Sequence, residues 1–583
     1  MKGFFNKLLR IDLKEKQYAA EPIPDSILKQ TLGGKGLGTY LLLENNPEGI
    51  DPLSPENCFI IALGPVSDTR IPGSSRYGIF TKSPLTEIYS ESYAGGHVAE
   101  PMSKAGYDAV ILEGASKEPV YIEISDKEVL FHNASRLWGK STYETEDFIK
   151  DEINAGQVAV LSIGPAGENL VRFAVVENDY WRSAGRTGVG AVLGSKRVKA
   201  LVFHGSKQRE VYDPQGVDKF VKTIRERGKT DGLASAYRTL GTPMLVSMNN
   251  AVGGFPSKYW HLGTFEGWEA LSAETMKKQL KTRSRACANC FMACGKLSEV
   301  QEGRHKGLKI EGPEYETIYA FGGLCMIHDL REIAYLNNIC DQMGMDTITG
   351  GNLCAFAMEA SEKRKISEKI SFGDPDAVAD LLMDIVFKRG IGRVLAEGIR
   401  HAAKVWGMED VAMHVKGMEP PGYEPRVLKG MGLAYATSCR GACHLRSSFF
   451  KAELSGMIDK DEIEGKADLF VDFEDRLTLH DVLIVCRFYR DMYMWDELSE
   501  IIKITTGMDL GKKDLKELAA RVVNLTRRFN IREGITRADD TLPERFFTEP
   551  LGDEGKVINR ESFETMLSDY YRLRGWSKDG IPE

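Results

Sequence analysis

Three cysteines within eight residues, Cys287, Cys290 and Cys294, constrain this chain more than any other stretch. Spacings of two and then three residues let one loop and the turn after it aim three sulfurs at a common centre, and Lys281, Arg283 and Arg285 lead into them. Thiols this close together are too crowded for a regular disulfide framework, so the ten cysteines read as reduced thiols and ligands. The trio needs a fourth ligand from elsewhere, and Cys58, Cys325, Cys340, Cys354, Cys439, Cys443 and Cys486 all compete. Zinc sites usually take their ligands as two local pairs, and the other close pair here, Cys439 and Cys443, stands in an unrelated context. A two-cluster ferredoxin run carries its fourth cysteine nearby, which this stretch does not. A single [4Fe–4S] cluster completed by a distant thiolate fits the spacing better than either.

At 583 residues the chain exceeds what one core supports, so two to four domains are expected. Its 42% hydrophobic and 27% charged residues are those of a globular protein able to bury a large core. A net charge of -8 argues against nucleic acid or an anionic membrane as the main partner. Charges at Lys7, Arg10, Asp12 and Lys14 interrupt the apolar start, no signal-type segment follows, and no run reaches the ~20 apolar residues of a membrane helix. The expected compartment is the cytoplasm.

Short apolar runs at 58–66, 109–114, 119–124, 158–164 and 199–205 predict strands in the first part of the chain, divided by glycine clusters at 33–38, 94–96 and 185–196. From residue 211 the texture changes to amphipathic stretches such as 213–227 and 330–343, which read as helices, while 303–312 reads as a loop. No internal repeat stands out. The outline is α+β and multidomain: a β-rich unit over 1–208, a helical unit with the thiol trio over 209–415, and a second helical unit over 416–583.

Several motifs could carry chemistry. GGKGLG at 33–38 only loosely resembles a dinucleotide fingerprint, and the GKST at 139–142 lacks the leading glycine of a phosphate loop. In GRTGVGAVLGSK, 185–196, glycines can bring backbone N–H groups to an anion, with Arg182 and Arg186 alongside; Arg70 and Arg76 offer the same from another loop. Asp341 and Asp346 bracket a glycine at the end of a helical stretch, and Asp481 with Cys486 repeats that offset. Glu314, Glu316 and His444 are candidates for proton transfer, His444 because of its Gly- and Arg-containing surroundings.

Taken in order, GGKGLG, AGYDAVILEG at 105–114, GRTGVGAVLGSK, the cysteine trio, GPEYET at 312–317, CDQMGMD at 340–346, LAEGIR at 395–400 and RFNIREGITRADDTLPERFF at 528–547 resemble the tungsten-containing aldehyde:ferredoxin oxidoreductase family over nearly the whole chain. The resemblance implies an N-terminal β-domain carrying a tungsten bis-pyranopterin, covered by two mostly helical domains. The metal would be held by dithiolene sulfurs without a protein ligand, and Mg2+ would link the pterin phosphates; molybdenum stands as the alternative metal. It further implies that Arg76, Tyr93, Gly95, Arg182, Ser183 and Gly185 line one pterin and its phosphate, that Asp341, Asp346 and Asp481 accept hydrogen bonds from pterin nitrogens, and that Cys486 completes the cluster. Carboxylates suit an N–H-rich pterin edge, and arginines suit its phosphate. Ile484 stands where the family carries glycine, and Tyr335 stands where some members carry an iron-binding glutamate, so no bridging iron is expected.

The implied activity is oxidation of an aldehyde with water to a carboxylic acid, with electrons passing through the [4Fe–4S] cluster to ferredoxin or to a ferredoxin-like or flavin electron-transfer subunit, in a homodimer or hetero-oligomer. Glu316 or Glu314 would polarise the carbonyl and His444 would move the proton. The alternatives are a catalytic subunit of an aromatic acyl-CoA ring reductase of benzoyl-CoA type and, from another class, a non-catalytic zinc or Fe–S binding protein.

Overall fold

The computed structural model describes residues 1–153, 155–552 and 555–583. Strands β1 (Lys7–Asp12), β2 (Gln17–Pro22), β3 (Phe59–Ala62), β4 (Tyr77–Lys82), β5 (Tyr89–Ala94) and β6 (Ala109–Glu113) form one sheet, in the order β2-β1-β6-β3-β4-β5. Strands β7 (Val120–Ile124), β8 (Val129–Asn133), β9 (Ala159–Ser162), β10 (Val176–Asn178), β11 (Arg182–Ala184) and β12 (Val198–Phe203) form a second, in the order β11-β10-β9-β12-β7-β8. Read from its other edge, the second sheet repeats the first strand for strand, and the parallel pairs correspond too: β1 with β6 and β7 with β12. The chain builds the same sheet twice. That overturns the expectation of no internal repeat. The likeness lies in strand order and pairing, whereas a strand asks only for suitable residues on alternate faces, which many sequences supply.

The two sheets pack face to face. Leu9, Ile11, Phe59, Ile61, Val110 and Leu112 meet Ile122, Leu161, Val176, Leu201 and Phe203 in a shared inner core. Their neighbours Leu8, Ile60, Ala109 and Ile111 point the other way, under Leu37, Leu41 and Leu42 of helix α1 (Gly34–Asn45). Burial on both faces makes such strands read as continuous apolar runs, which is why they are visible in the sequence. Several of the clustered glycines serve packing. GGKGLG opens α1, and the 185–196 cluster contains helix α2 (Val189–Ser195). A Cβ at Gly38 would enter the Phe80 ring and one at Gly194 would strike the Gly167 carbonyl, so these glycines allow close packing rather than cradling an anion.

Helix α3 (Pro214–Thr230) buries Val217, Phe220, Val221, Ile224 and Gly228 along one stripe and is capped by Asp213, which accepts from Gly216 N–H at 2.9 Å. Helix α4 (Leu330–Met343) is capped by Asp329 and followed by α5 (Thr347–Glu362). Later come α6 (Lys466–Leu483) and α7 (Lys512–Arg532). One large core draws on both sides of residue 415, with Ile333 and Phe356 packed among Met431 and Phe470. A second joins α3 to the end of α6 and to α7 through Phe220, Ile224, Leu479, Leu483 and Leu518. A three-stranded sheet, β13 (Arg283–Arg285), β14 (Gly295–Glu299) and β15 (Lys309–Glu311), holds the thiol loop between its first two strands, and β15 closes the expected 303–312 loop. Among the described residues no helix is long and apolar enough to cross a membrane.

The repeated sheets receive matching helix ends. Gly64, just after β3, lies against the Leu483 carbonyl at the end of α6, and Gly164, just after β9, lies against the Met343 carbonyl at the end of α4; a Cβ at either would collide. Both helices stop on a residue in the left-handed region, Gly344 at φ 77° and Ile484 at φ 60°. Ile484 therefore keeps the backbone turn that glycine makes at the other end, although a β-branched residue adopts that conformation at a steric cost.

Candidate active site between the double sheet and the helices

A cavity of about 340 Å3 lies between the sheets and the helical part. Its sheet side is formed by Arg76 ahead of β4, Tyr93 and Gly95 at the end of β5, and Arg182, Ser183 and Gly185 on and after β11. Its helical side is formed by Glu314, Glu316, Asn337, Asp341, Asp346, Arg440, His444, Arg446 and Arg487. Asp341 sits on the last turn of α4, and Asp346 caps α5 by accepting from Ile348 N–H at 3.0 Å. The structure thus brings to one cavity Arg76, Tyr93, Gly95, Arg182, Ser183, Gly185, Asp341, Asp346, both glutamates and His444.

Two candidates fall elsewhere. Asp481 stands behind the wall, its carboxylate engaged by Arg446 at 3.0 Å and by Arg487, so it orients two wall arginines instead of facing the cavity. Arg70 is exposed and paired with Asp218, away from the cavity. Tyr93 donates to Glu91 at 2.7 Å and lies under the Arg446 guanidinium. Tyr335 stacks on His305 with centroids 4.2 Å apart.

Sequence reasoning missed the layer that holds these groups. Lys35, inside GGKGLG, is buried against Glu91 at 3.1 Å, and Glu91 also pairs with Arg446. Burial opposes ionisation of Glu91, but Arg446 and Lys35 outweigh it and hold the carboxylate well below its usual range. Arg186 is buried between Asp346 at 3.0 Å and the Glu419 carbonyl at 2.9 Å. Glu177 takes the Ser183 hydroxyl at 2.8 Å, and burial pushes both Glu177 and the nearby Asp341 carboxyls well above the ordinary value. Arg446 stood in the same short segment as His444; Glu91 and Glu177, single acids in strands, left no signal.

Glu316 and His444 form a distinct pair. His444 Nε2 lies 3.5 Å from Glu316 Oε1, and Glu316 Oε2 accepts from Gly422 N–H at 2.9 Å. Burial pushes the Glu316 carboxyl up to about 8, while burial and then Arg186 and Arg440 hold His444 well below its ordinary value. At neutral pH the carboxyl carries the proton and the imidazole is neutral. Glu314 instead accepts from the Thr242 hydroxyl and sits toward Cys294 and Arg182.

At the sheet edge of the cavity lie the thiols. Gly96 N–H donates to Cys287 Sγ at 3.2 Å and Tyr489 O–H to Cys290 Sγ at 3.4 Å. Burial and then Cys486 push the Cys290 thiol up to about 11, and desolvation and then Glu314, with a smaller contribution from Cys486, raise Cys294. Cys325, Cys340, Cys354 and Cys443 lie in the large helical core and Cys58 under α1, while Cys439 sits beside Lys35 and Glu91. No three His, Cys, Asp or Glu side chains among the described residues form a group able to hold a single metal ion.

The cavity fits a large, polar, partly anionic ligand. Charged side chains of both signs line its walls, and buried polar atoms there have no hydrogen-bond partner among the described residues: His444 Nδ1, Arg440 Nε and Arg446 Nε. A pterin with its phosphate matches that set of donors and acceptors.

A doubled β-base under helices, with a charged cavity and four thiols beside it, defines a cofactor-dependent oxidoreductase. The chain belongs to the aldehyde ferredoxin oxidoreductase family: residues 8–205 match its N-terminal domain and 219–583 its domains 2 and 3. It is 36% identical to the tungsten-containing aldehyde ferredoxin oxidoreductase of Pyrococcus furiosus, over 100% of this chain and 98% of that one. It is likewise 36% identical to the Thermococcus kodakarensis enzyme of the same name, over 100% and 97%. The WOR-like subunit of the Pyrococcus furiosus aliphatic sulfonate oxidoreductase is 29% identical over 100% and 96%. Among solved structures, the active-site complex BamBC of benzoyl coenzyme A reductase with 1,5-dienoyl-CoA aligns with a TM-score of 0.85 at 26% identity, covering 100% of this chain and 96% of that one.

Proposed function

We propose that the protein oxidises an aldehyde with water to the carboxylic acid, releasing two electrons and two protons, and hands the electrons to a ferredoxin or a ferredoxin-like or flavin subunit in the cytoplasm. The observation that carries this is the Glu316–His444 pair facing a cavity lined by arginines and carboxyls, a set of donors and acceptors that suits a pterin. When bound, a tungsten bis-pyranopterin would supply the two-electron chemistry and a [4Fe–4S] cluster the one-electron exit. Arg76, Arg182 and the Gly95 and Gly185 backbone would hold phosphate, whose charge Mg2+ would help to balance, and Asp341 and Asp346 would take pterin N–H groups. Cys287, Cys290, Cys294 and Cys486 would hold the cluster.

The roles of the chain's own groups follow from their protonation. Neutral Glu316 can donate to the carbonyl oxygen and draw electron density from the carbonyl carbon. Neutral His444 can accept a proton from the attacking water, and the arginines around it keep the imidazole from being charged beforehand. Glu314, tied to Thr242, faces the thiol end and has no such partner.

Metal analysis after anaerobic purification should find tungsten (or molybdenum), iron and pterin, and an aldehyde panel with a viologen acceptor should show turnover. His444→Ala should lower turnover at least ~100-fold, a general-base effect, while leaving metal content intact. Full activity in that variant would remove His444 from this role. The ring-reductase reading rests on the structural likeness to BamBC, and a cyclic dienoyl-CoA offered as electron donor to the same viologen acceptor, which runs ring reduction in reverse, tests it directly. Family membership sets aside the non-catalytic zinc protein.

A further inference from the structure

A second cavity, about 490 Å3, opens to solvent over the thiol loop, with Cys287, Cys290 and Phe291 on one wall and Arg225, Lys229 and Arg238 on the other. Helix α3 lies directly on the loop, since a Cβ at Gly228 would enter the Phe291 ring. Arg225 and Lys229 of this helix line the cavity, and exposed Lys222 extends the same charged face by one turn. Lys229 pairs with exposed Glu226, whereas Lys222 and Arg225 have no acidic partner among the described residues. Arg238 spends two donors on the Phe291 carbonyl, at 3.2 and 3.1 Å, which anchors the loop and leaves its charge uncompensated.

This cationic rim departs from a chain of net charge -8. With screening over about 8 Å at physiological salt, an approaching protein responds to the local charges, where Lys222, Arg225, Lys229 and Arg238 outnumber the neighbouring Glu226. We propose that the rim is the docking site of an acidic one-electron carrier protein, seated over Cys287 and Cys290. The proposal deepens the redox reading above and rests on it. In the exchange one electron leaves the centre behind the loop, the carrier is reduced by one electron, and no bond forms or breaks; aldehyde oxidation supplies the electron. A charged helix face is usually only solvated. This one is placed where the thiols come nearest to solvent, and weak redox encounters need only a small, electrostatically steered surface.

The test compares full-length wild type with K222E/R225E/K229E, purified with their metal centres, using an acidic two-cluster bacterial ferredoxin as the probe. Binding by biolayer interferometry in low salt should weaken on the order of ten-fold or more in the variant, and its salt dependence should flatten. KM for ferredoxin in aldehyde oxidation should rise by a similar factor while turnover with methyl viologen is unchanged. Lys513→Glu, whose side chain is 90% exposed and does not line the cavity, serves as control. Unchanged ferredoxin binding in the triple variant, or an equal loss in the control, overturns the docking site. Absence of viologen-linked aldehyde turnover in the wild type would instead overturn the proposed reaction, leaving the binding comparison to decide the surface.

Discussion

Glu316 shows how a single buried carboxyl can be read without a ligand. Its pKa of about 8 comes first from burial, with the Gly422 N–H opposing the shift. Because the folded state holds a proton that an unfolded glutamate releases near its ordinary value of about 4.3, unfolding sheds that proton between those limits. Stability contributed by this group is therefore greatest in acid and falls as pH rises toward 8, by up to ~1.4 kcal/mol per unit, then levels. Glu316→Gln keeps an oxygen for Gly422 and an N–H for His444 but cannot ionise. We expect the difference in thermal midpoint between wild type and Glu316→Gln to grow in favour of the variant from pH 5 to 8, measured by scanning fluorimetry at a fixed rate. A difference that does not change with pH would show that Glu316 is already ionised in the folded protein.

At the scale of elements, five of the twelve strands in the two sheets and the amphipathic helices were legible, because burial on both faces of a strand or along one stripe of a helix leaves an apolar pattern that survives without neighbours. Helix α4 runs over the expected 330–343, and α3 extends the expected 213–227. The repeat and the glycine-rich helices were not legible, because a glycine signals only that something comes close, and what comes close is remote in sequence. Gly64 and Gly164 are the clearest cases: each marks where a sheet receives the end of a helix bearing an aspartate, Asp481 or Asp341. Gly64→Ala and Gly164→Ala should each cost about 1–3 kcal/mol through overpacking. They should also lower pterin and tungsten content, because the aspartate-bearing turn is lifted off the sheet. Gly232→Ala, where a Cβ meets open space, is the matched control. Thermal midpoints together with metal analysis decide this, and retention of full cofactor in the Gly164 variant would detach the helix end from cofactor binding.

At the scale of the whole molecule, buried charges and thiols join parts of the chain far apart in sequence. Lys35 of α1 and Glu91 of β5 meet Arg446, which meets Asp481 at the end of α6, all buried. Removing one member would strand a buried charge, at a typical cost of 3–5 kcal/mol, so this network is the polar counterpart of the apolar cores. The thiols follow the same logic. Spacing alone shows that Cys287, Cys290 and Cys294 share a loop, but no local pattern could choose a fourth among seven cysteines; only the tertiary fold, which carries Cys486 from the turn after α6 back to the loop, brings one beside them. If the four hold one cluster, Cys486→Ala should lose most of the iron and acid-labile sulfide per chain along with visible absorption. Cys439→Ala and Cys443→Ala should keep both. Cys443 is the demanding control, since Arg440 donates to its sulfur at 3.1 Å and, with Arg446, overcomes burial to bring the thiol down to about 6, which favours a thiolate outside the proposed ligand set. Iron retained at the wild-type level in Cys486→Ala, or lost in Cys443→Ala, would move the fourth position elsewhere.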